Sequence, residues 1–180
     1  MANRLRVSLI VAGLLLVIAV PATAAGGARH ASAELRDVGG ELVGWARFTE
    51  DSSGILHVNV QVRGLPEGLH GTHIHRVGSC TSELSAFDGA KSHFNPIGHD
   101  HGLDSATGAH AGDLPNLIVN VAGNGHLDAT SDRATLSAGA VSVFDADGSA
   151  LVIHAGQDDQ KTNPTGNSGG RIACGVIVAG

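Results

Sequence analysis

Seven side chains with metal-binding atoms lie in the middle and late parts of the chain. His73 and His75 stand two residues apart in a segment with strand character, and successive side chains of a strand alternate faces, so both imidazoles point the same way. His110 and Asp113 are separated by a tight turn at Gly112. Imidazole suits copper and zinc, and a mixed set of imidazoles and a carboxylate suits tetrahedral zinc. The sequence predicts a histidine-rich metal site whose candidate ligands are His73, His75, His93, His101, His110, Asp113 and His154.

The chain has 11 histidines, so some of them must be weighed against this site. His99 is a rival zinc ligand because it stands two residues before His101, but the spacing favours His101. We expect His70 to be a buried structural residue packed beside the strand of His73. His57 falls on the polar side of its own strand and is expected to be solvated.

The first residues have the pattern of a secretory signal peptide. Arg4 and Arg6 form a basic start, 7–20 is a run of apolar or small residues, and Ala-Thr-Ala at 22–24 is a cleavage pattern. The alternative is an uncleaved anchor, but a run of about 14 residues is short of the roughly 20 that span a bilayer. We therefore expect cleavage after residue 24 and an extracytoplasmic protein, periplasmic, retained in the cell envelope or secreted, that is not held in the membrane.

The charge of the chain argues against nucleic acid as a partner. The formal net charge is −6, and removal of Arg4 and Arg6 with the signal peptide would make it more negative. Neutralisation of phosphates requires clustered lysines and arginines, which an acidic chain of this kind does not offer.

The only two cysteines are Cys80 and Cys174. In an oxidising compartment an even pair predicts a disulfide, the alternative being two free thiols. Closing so long a stretch of chain would stabilise the fold by about 4 kcal/mol in the chain-entropy account.

Periodicity predicts an all-β domain. Residues 56–63 alternate between apolar and polar over eight positions, which indicates a strand with one buried face. The abundance of glycine, 26 residues, favours short strands joined by tight turns. The other segments with strand character are 42–49, 69–77, 116–121, 125–130, 140–144, 150–154 and 171–178.

Two long segments break this pattern. Residues 78–115 have almost no periodicity but carry or border most of the candidate ligands, and a bound metal accounts for a loop of that length in a compact domain. A second irregular loop spans 155–170. With a flexible mature terminus over 25–31, the chain is expected to form one domain over 32–180, an antiparallel eight-stranded sandwich or flattened barrel with two long functional loops.

Five segments closely resemble the copper–zinc superoxide dismutase family. The resemblance covers about 33–178, with the motifs in the family's order, and it implies a Greek-key arrangement of the strands. The loop between Cys80 and His93 is about seven residues longer than in the compact form of the family. The segments are Gly-Leu-His-Gly-Thr-His-Ile-His at 68–75, His-Phe-Asn-Pro at 93–96, His-Ala-Gly-Asp-Leu at 110–114, Leu-Val-Ile-His at 151–154 and Gly-Asn-Ser-Gly-Gly-Arg-Ile-Ala-Cys-Gly-Val-Ile at 166–177.

The resemblance implies a role for each candidate residue. Asp158 matches a carboxylate that links a copper histidine to a zinc histidine, Arg171 matches the cation that attracts the superoxide anion, and Thr165 matches the opposite wall of the channel. Cys80 and Cys174 match the family disulfide. The implied ligands are His73, His75, His93 and His154 for one copper ion, and His93, His101, His110 and Asp113 for one zinc ion.

The activity that the resemblance implies is dismutation of superoxide to oxygen and hydrogen peroxide. Copper, bridged to zinc by His93, would be alternately reduced and reoxidised, and His93 would deliver a proton. The main alternative is a non-catalytic exported copper- or zinc-binding module, and a purely structural or adhesive sandwich is a further one. The presence of all four copper histidines and of Arg171 favours the enzyme.

One surface residue bears on assembly. Trp45 alternates out of phase with Ala46 and Phe48, so its side chain is expected to face outward. It is either a lone exposed aromatic residue or a contact of a homodimer.

Overall fold

The computed structural model describes residues 29–180, which form ten β-strands and one short 3-10 helix at Asp88–Ala90. Within those residues no helix is long and apolar enough to cross a membrane. The strands are β1 (Arg29–Asp37), β2 (Leu42–Glu50), β3 (Leu56–Val62), β4 (Gly68–His70), β5 (Thr72–His75), β6 (Leu117–Val119), β7 (Gly125–Ser131), β8 (Ala150–His154), β9 (Arg171–Val176) and β10 (Val178–Ala179).

All these strands belong to one antiparallel sheet that curls into a nearly closed barrel. The order of hydrogen-bonded neighbours is β4-β6-β7-β3-β2-β1-β9-β8-β5, and β10 pairs with β1. Strands distant in sequence, such as β3 and β7 or β1 and β9, are neighbours. The all-β antiparallel fold is as the sequence predicted, although the barrel has ten strands in the described residues and not eight.

The core is formed by apolar side chains that alternate with polar ones along the strands and face inward. In β3 the residues at 56, 58, 60 and 62 are buried, whereas His57 and Gln61 are exposed. Trp45 on β2 faces outward, as predicted, with 44% of its surface exposed. The inward side chains pack into one main cluster that includes Leu35, Phe48, Val60, Ile74, Leu117, Leu151 and Ile153.

The amino-terminal boundary differs from the expectation of a flexible segment over 25–31. Strand β1 begins at Arg29, and Ala31 is buried opposite Phe48 of β2. The inward residues at the start of β1 are the small alanines at 31 and 33, which give a weak hydrophobic signal. The expected signal peptide at 1–24 and residues 25–28 lie outside the described residues.

The segment predicted as one strand over 69–77 is interrupted at Gly71. The Gly71 amide donates to the carbonyl of Gly156 at 2.8 Å, and its carbonyl accepts from the amide of His154 at 2.8 Å. A Cβ at position 71 would lie 2.7 Å from the Cβ of Ser168, so only glycine fits this close approach. The interruption separates β4 from β5, which stand at the two ends of the sheet path.

Two other predicted strands are also altered. Residues 140–144 are not a strand, because their pairing is limited to a single bridge between Thr135 and Ser142. The segment 171–178 divides into β9 and β10 at Ile177, whose amide donates to the carbonyl of Ser149 and whose side chain is buried. In both places backbone amides find their acceptors outside the named strands, the carbonyl of Ser149 for Ile177 and that of Thr135 for Val143.

A buried carboxylate connects β2 to the irregular segment before β8. Glu50 accepts hydrogen bonds from the amide of Leu136 and from the amide and hydroxyl of Ser137, each at 2.6 Å. Burial alone would raise the pKa of the Glu50 carboxyl, but the hydrogen bonds from Ser137 and Leu136 outweigh it and lower that pKa below its usual value.

Replacement of Glu50 by alanine is expected to lower the free energy of unfolding by roughly 1–3 kcal/mol at pH 7, because two backbone amides lose their acceptor. A carboxyl with a lowered folded pKa stabilises above its unfolded pKa and loses this contribution as pH falls through the folded value. The deficit of Glu50→Ala should therefore shrink below about pH 4.3. Denaturant unfolding at pH 7 and pH 3.5 measures it, with the exposed Glu41→Ala as control; equal stability of the two variants at pH 7 would contradict the role of Glu50.

Candidate metal centre

Strand pairing positions the histidines that are most distant in sequence. Antiparallel pairing of β5 with β8 places His73 opposite Val152 and His75 opposite Ala150, on the strand that ends at His154. Isolated bridges join His75 to His93 and His73 to Asp113, which attaches the loop after β5 to the same edge. The rings of His73 and His93 are stacked with their centroids 3.9 Å apart. Both imidazoles of the His-Ile-His segment thus face one side, while Ile74 is buried in the core.

One corner of the site has the dimensions of a tetrahedral metal cage. The Oδ1 atom of Asp113 lies 3.0 Å from Nδ1 of His93, 3.1 Å from Nδ1 of His101 and 3.3 Å from Nδ1 of His110. The Nδ1 atoms of His93 and His110 are 3.4 Å apart. Four ligands at the usual zinc–nitrogen distance stand about 3.3 Å from one another at the corners of a tetrahedron. These four separations match a zinc site. His73 also lies close, since its ligand atom is within 4.8 Å of those of His93, His101 and Asp113, but its Nε2 is held by Asp158.

The adjoining corner consists of imidazoles alone. His73, His75, His93 and His154 each offer a ring nitrogen, and the four atoms lie within 4.8 Å of one another. Nε2 of His154 is 3.4 Å from Nε2 of His75. All four residues are buried. A four-nitrogen set of this kind suits copper, and His93 belongs to both corners.

Three ring nitrogens of the cluster are buried without a hydrogen-bond partner in the described residues. Within residues 29–180, four buried side-chain nitrogen or oxygen atoms have no hydrogen-bond partner, and three of them are Nδ1 of His73, Nε2 of His93 and Nδ1 of His101. An unsatisfied buried polar atom is costly, by about 1–3 kcal/mol. Their concentration in one cluster is what metal ligands require. The residues present therefore fit both a copper ion and a zinc ion.

Asp158 joins the two corners from outside. Its carboxylate, with no exposed surface, lies 2.6 Å from Nε2 of His73 and 3.0 Å from Nε2 of His101. Burial would raise the pKa of Asp158, but the hydrogen bonds from His101 and His73 outweigh it and hold that pKa well below its usual range. Since a carboxylate only accepts, both Nε2 atoms carry a proton, and both Nδ1 atoms are directed into the cluster.

Backbone carbonyls orient the other two histidines of the four-imidazole group, His75 and His154. Nδ1 of His75 donates to the carbonyl of Lys91 at 2.8 Å, and Nδ1 of His154 donates to the carbonyl of Gly169 at 3.0 Å. These bonds leave the Nε2 lone pairs directed at the cluster, because a carbonyl can only accept. Each imidazole is thereby fixed in the tautomer that a metal needs.

The protonation states follow from the surroundings. Burial lowers the pKa of His73 to about 3 and that of His154 to about 4, so both are neutral at neutral pH. Burial also lowers the pKa of His101, but the attraction of its protonated ring to the carboxylates of Asp113 and Asp158 outweighs it and raises that pKa to about 9. Zinc binding at His101 must therefore displace a proton at neutral pH.

An opening leads to the imidazole-only corner. Its lining includes His75, His93, His154, Thr165 and Arg171, so the two residues expected to flank the channel do face it. The guanidinium of Arg171 donates to the carbonyls of Phe87 and Lys91. Cys80 and Cys174 form a disulfide, which ties the loop after β5 to the strand that carries Arg171.

Burial and hydrogen bonding distinguish the histidines outside the predicted ligand set from the ligands. His99 is exposed, and its Nδ1 donates to the carbonyl of Ala109 at 3.2 Å, whereas His101 is buried in the cluster. His70 is buried between two carbonyls, those of Pro66 and His154, at 2.9 and 2.7 Å, away from the metal-binding atoms. His57 is exposed and paired with Asp51.

Comparison with known proteins accords with this geometry. The family model described as copper/zinc superoxide dismutase matches residues 42–177. The chain belongs to that family. It is 44% identical over 149 residues to a copper–zinc superoxide dismutase of Aquifex aeolicus strain VF5, covering 82% of this chain and 85% of the relative. A second enzyme of that organism is 41% identical over 140 residues, covering 77% and 81%.

A solved structure is similar as well. It is a double mutant of a superoxide dismutase-like protein from Bacillus subtilis, with a TM-score of 0.75 and 37% identity, covering 81% of this chain and 95% of that one. Members of the copper/zinc superoxide dismutase family use copper and zinc, and the two corners fit those metals. The chain is accordingly a copper–zinc oxidoreductase of this family, and the Greek-key barrel expected from the sequence is the family's fold.

Several contributors to the site had no sequence signal. The carbonyls of Phe87, Lys91 and Gly169 are backbone atoms, which every residue possesses. Asn116 was also missed: its side-chain amide donates to the carbonyl of Asp158 and its side-chain oxygen accepts from the Asp158 amide, at 2.9 and 2.8 Å. It stands at the edge of β6 and looks like an ordinary turn residue.

Asp158→Ala is expected to weaken zinc binding by roughly 10- to 100-fold, because His101 and His73 lose the acceptor that orients them. Competition with a zinc chelator measures the affinity. Asp104→Ala, which removes an exposed carboxylate from the loop after β5, serves as control and should bind zinc like the unmodified chain. Unchanged zinc affinity in Asp158→Ala would show that the ligands are held without it.

Proposed function

We propose that this protein dismutates superoxide to oxygen and hydrogen peroxide. The observation that carries the proposal is the placement of Arg171 at an opening onto a buried four-imidazole cluster. A purely storage site has no need of a fixed cation beside an entrance. In this proposal copper is held by His73, His75, His93 and His154, and zinc by His93, His101, His110 and Asp113.

The electrons and protons of this reaction balance without another reactant. One superoxide gives up an electron and leaves as oxygen, and a second accepts that electron with two protons and leaves as hydrogen peroxide. When bound, copper supplies the one-electron chemistry, and zinc supplies a fixed positive charge beside Nδ1 of His93. Each superoxide is a monoanion, so binding it at the opening requires a local cation.

His93 is suited to hold one of the protons. Its Nδ1 lies 3.0 Å from Oδ1 of Asp113, and its Nε2 is buried without a hydrogen-bond partner among residues 29–180. His93 is also one of the four grouped imidazoles. Burial lowers the pKa of His93 despite the opposing effect of Asp113, so the ring does not hold a second proton firmly. A proton held at Nε2 can pass to a substrate oxygen at the opening.

Arg171 is suited to bind the anion. The chain carries a net charge of −6, so its overall field repels superoxide, and a fixed guanidinium at the opening reverses that field locally. Thr165 forms part of the facing wall. Among residues 29–180 the guanidinium is held by two carbonyls and forms no ion pair with a carboxylate, so its charge is not cancelled by a direct ion partner there.

We also propose that the protein is exported after removal of residues 1–24 and acts outside the cytoplasm. The Cys80–Cys174 disulfide supports this, because such bonds persist in oxidising compartments. The proposed substrate is a small anion. The mature chain is proposed to bind neither nucleic acid nor membrane.

The decisive measurement is superoxide decay followed by stopped-flow or pulse radiolysis, with copper and zinc determined on the same sample. Turnover approaching about 10⁸–10⁹ M⁻¹s⁻¹, the ceiling for which superoxide dismutase is a standard example, is expected. His154→Ala should abolish it, and Arg171→Ala should lower it by about tenfold or more with metals retained.

The exposed His57→Ala is the matched control and should keep full activity. A fully metallated protein without turnover would contradict the proposal and would instead establish a copper- and zinc-binding module with this fold.

Dimer formation through Trp45 is a separate proposal. The indole is 44% exposed on β2, between Glu34 on β1 and Gln61 on β3, and beside Leu42. Sedimentation analysis of Trp45→Asp tests it: a dimer that dissociates in the variant supports the contact. A monomeric unmodified chain, or a dimer that persists in the variant, would remove the idea.

A further inference from the structure

The guanidinium of Arg171 depends on one short segment of chain. Both of its acceptors, the carbonyls of Phe87 and Lys91, lie at the ends of the turn 87–91. Phe87 has φ 54° and Lys91 has φ 62°, left-handed values that are unusual for residues other than glycine. Such backbone conformations persist only where the surroundings enforce them, so the side chains that enforce them also determine where Arg171 is held.

One of the two carbonyls has a second donor. The Lys91 carbonyl accepts from Nη2 of Arg171 and also from Nδ1 of His75, the latter at 2.8 Å. Displacement of residue 91 would therefore move the arginine and disturb a copper-corner imidazole together. The turn 87–91 is a joint support for the anion-binding cation and for one side of the metal cluster.

The ring of Phe87 anchors this turn to the barrel. It is 5% exposed and packs in a small apolar cluster, separate from the main core, with Ala90, Ala150, Val152 and Cys174. Two of these residues belong to β8 and one to β9, the strands that carry His154 and Arg171. The phenyl ring thus fixes the turn relative to the strands on which those two site residues lie.

The carboxylate of Asp88 organises the turn from the solvent side. It accepts from the amides of Glu83 and Leu84 at 2.8 and 2.9 Å, and these contacts fold the segment after Cys80 back onto the turn. Burial lowers the pKa of Arg171, and the negative charge of Asp88 opposes that shift.

Gly89, in the middle of the turn 87–91, packs closely against Thr81. The amide of Gly89 donates to the carbonyl of Thr81 at 3.0 Å, and a Cβ at position 89 would lie 2.2 Å from Oγ1 of Thr81. The turn therefore rests directly on the residue that follows Cys80, whose disulfide leads back to β9.

We propose that Phe87 and Asp88 are positioning residues, which hold the turn 87–91 so that its two carbonyls present Arg171 to an anion entering the site. This inference rests on the proposed function. Neither side chain touches the substrate path described above, so both act through Arg171.

Azide affinity of the copper- and zinc-loaded protein tests the role, because azide is a small monoanion whose binding to cupric ion is read from its charge-transfer absorption. Phe87→Ala is expected to weaken azide binding and to lower kcat/KM, each by roughly tenfold, with copper and zinc content unchanged. Phe87→Leu, which refills the apolar cluster, should restore most of both. Leu84→Ala, at a side chain that is 96% exposed in the same segment, is the matched control.

Asp88→Asn keeps the folded protein testable if Phe87→Ala does not fold, and it should weaken azide binding in the same direction by a smaller factor. Unchanged azide affinity in a fully metallated Phe87→Ala or Asp88→Asn protein would overturn the proposal, as would a loss confined to thermal stability.

Arg171→Ala separates this inference from the proposed function. If the unmodified protein shows no turnover but its azide binding depends on Arg171 and Phe87, the dismutase proposal fails and the positioning role stands.

Discussion

Each buried imidazole of the metal centre has two nitrogens, and burial requires a partner for both. A metal would satisfy one nitrogen, and for His73, His75, His101 and His154 the protein supplies an acceptor for the other. Asp158 does this for His73 and His101, and carbonyls of the two long loops do it for His75 and His154. His93 differs because it belongs to both groups of close ligands, with Nδ1 beside Asp113 and Nε2 left without a hydrogen-bond partner in the described residues. The course of both loops follows from this requirement, since each must bring an acceptor to the back of a ring.

This requirement also explains which parts of the site were predictable. Ligand side chains are specific residue types, and the pairing of strands brings them together, so His73, His75 and His154 could be expected to meet. Backbone acceptors carry no such mark, and the places of Lys91 and Gly169 emerge only when the loops are folded. Asn116 is hidden for a related reason, because its amide recognises the backbone of Asp158 and not a ligand.

The fold shows the same division. Strand β3 could be predicted from the sequence because large apolar side chains alternate with polar ones. The first residues of β1 bury only alanines and give a weak pattern. The break at Gly71 could not be anticipated from periodicity, since it arises from the close approach of Ser168, almost a hundred residues later. Residues 140–144 are apolar enough for a strand, but Val143 reaches the core from a segment paired at only one bridge.

The distribution of the ligands along the chain has a consequence for assembly. All four side chains of the zinc corner lie within 93–113, so closing that loop requires little chain entropy. The copper corner spans 73–154 and cannot exist until β5 has paired with β8. On the proposed ligand assignment, zinc would bind within a short stretch of chain, whereas copper would require distant strands to have met. Copper occupancy would in this sense be a record that the long-range topology has been completed.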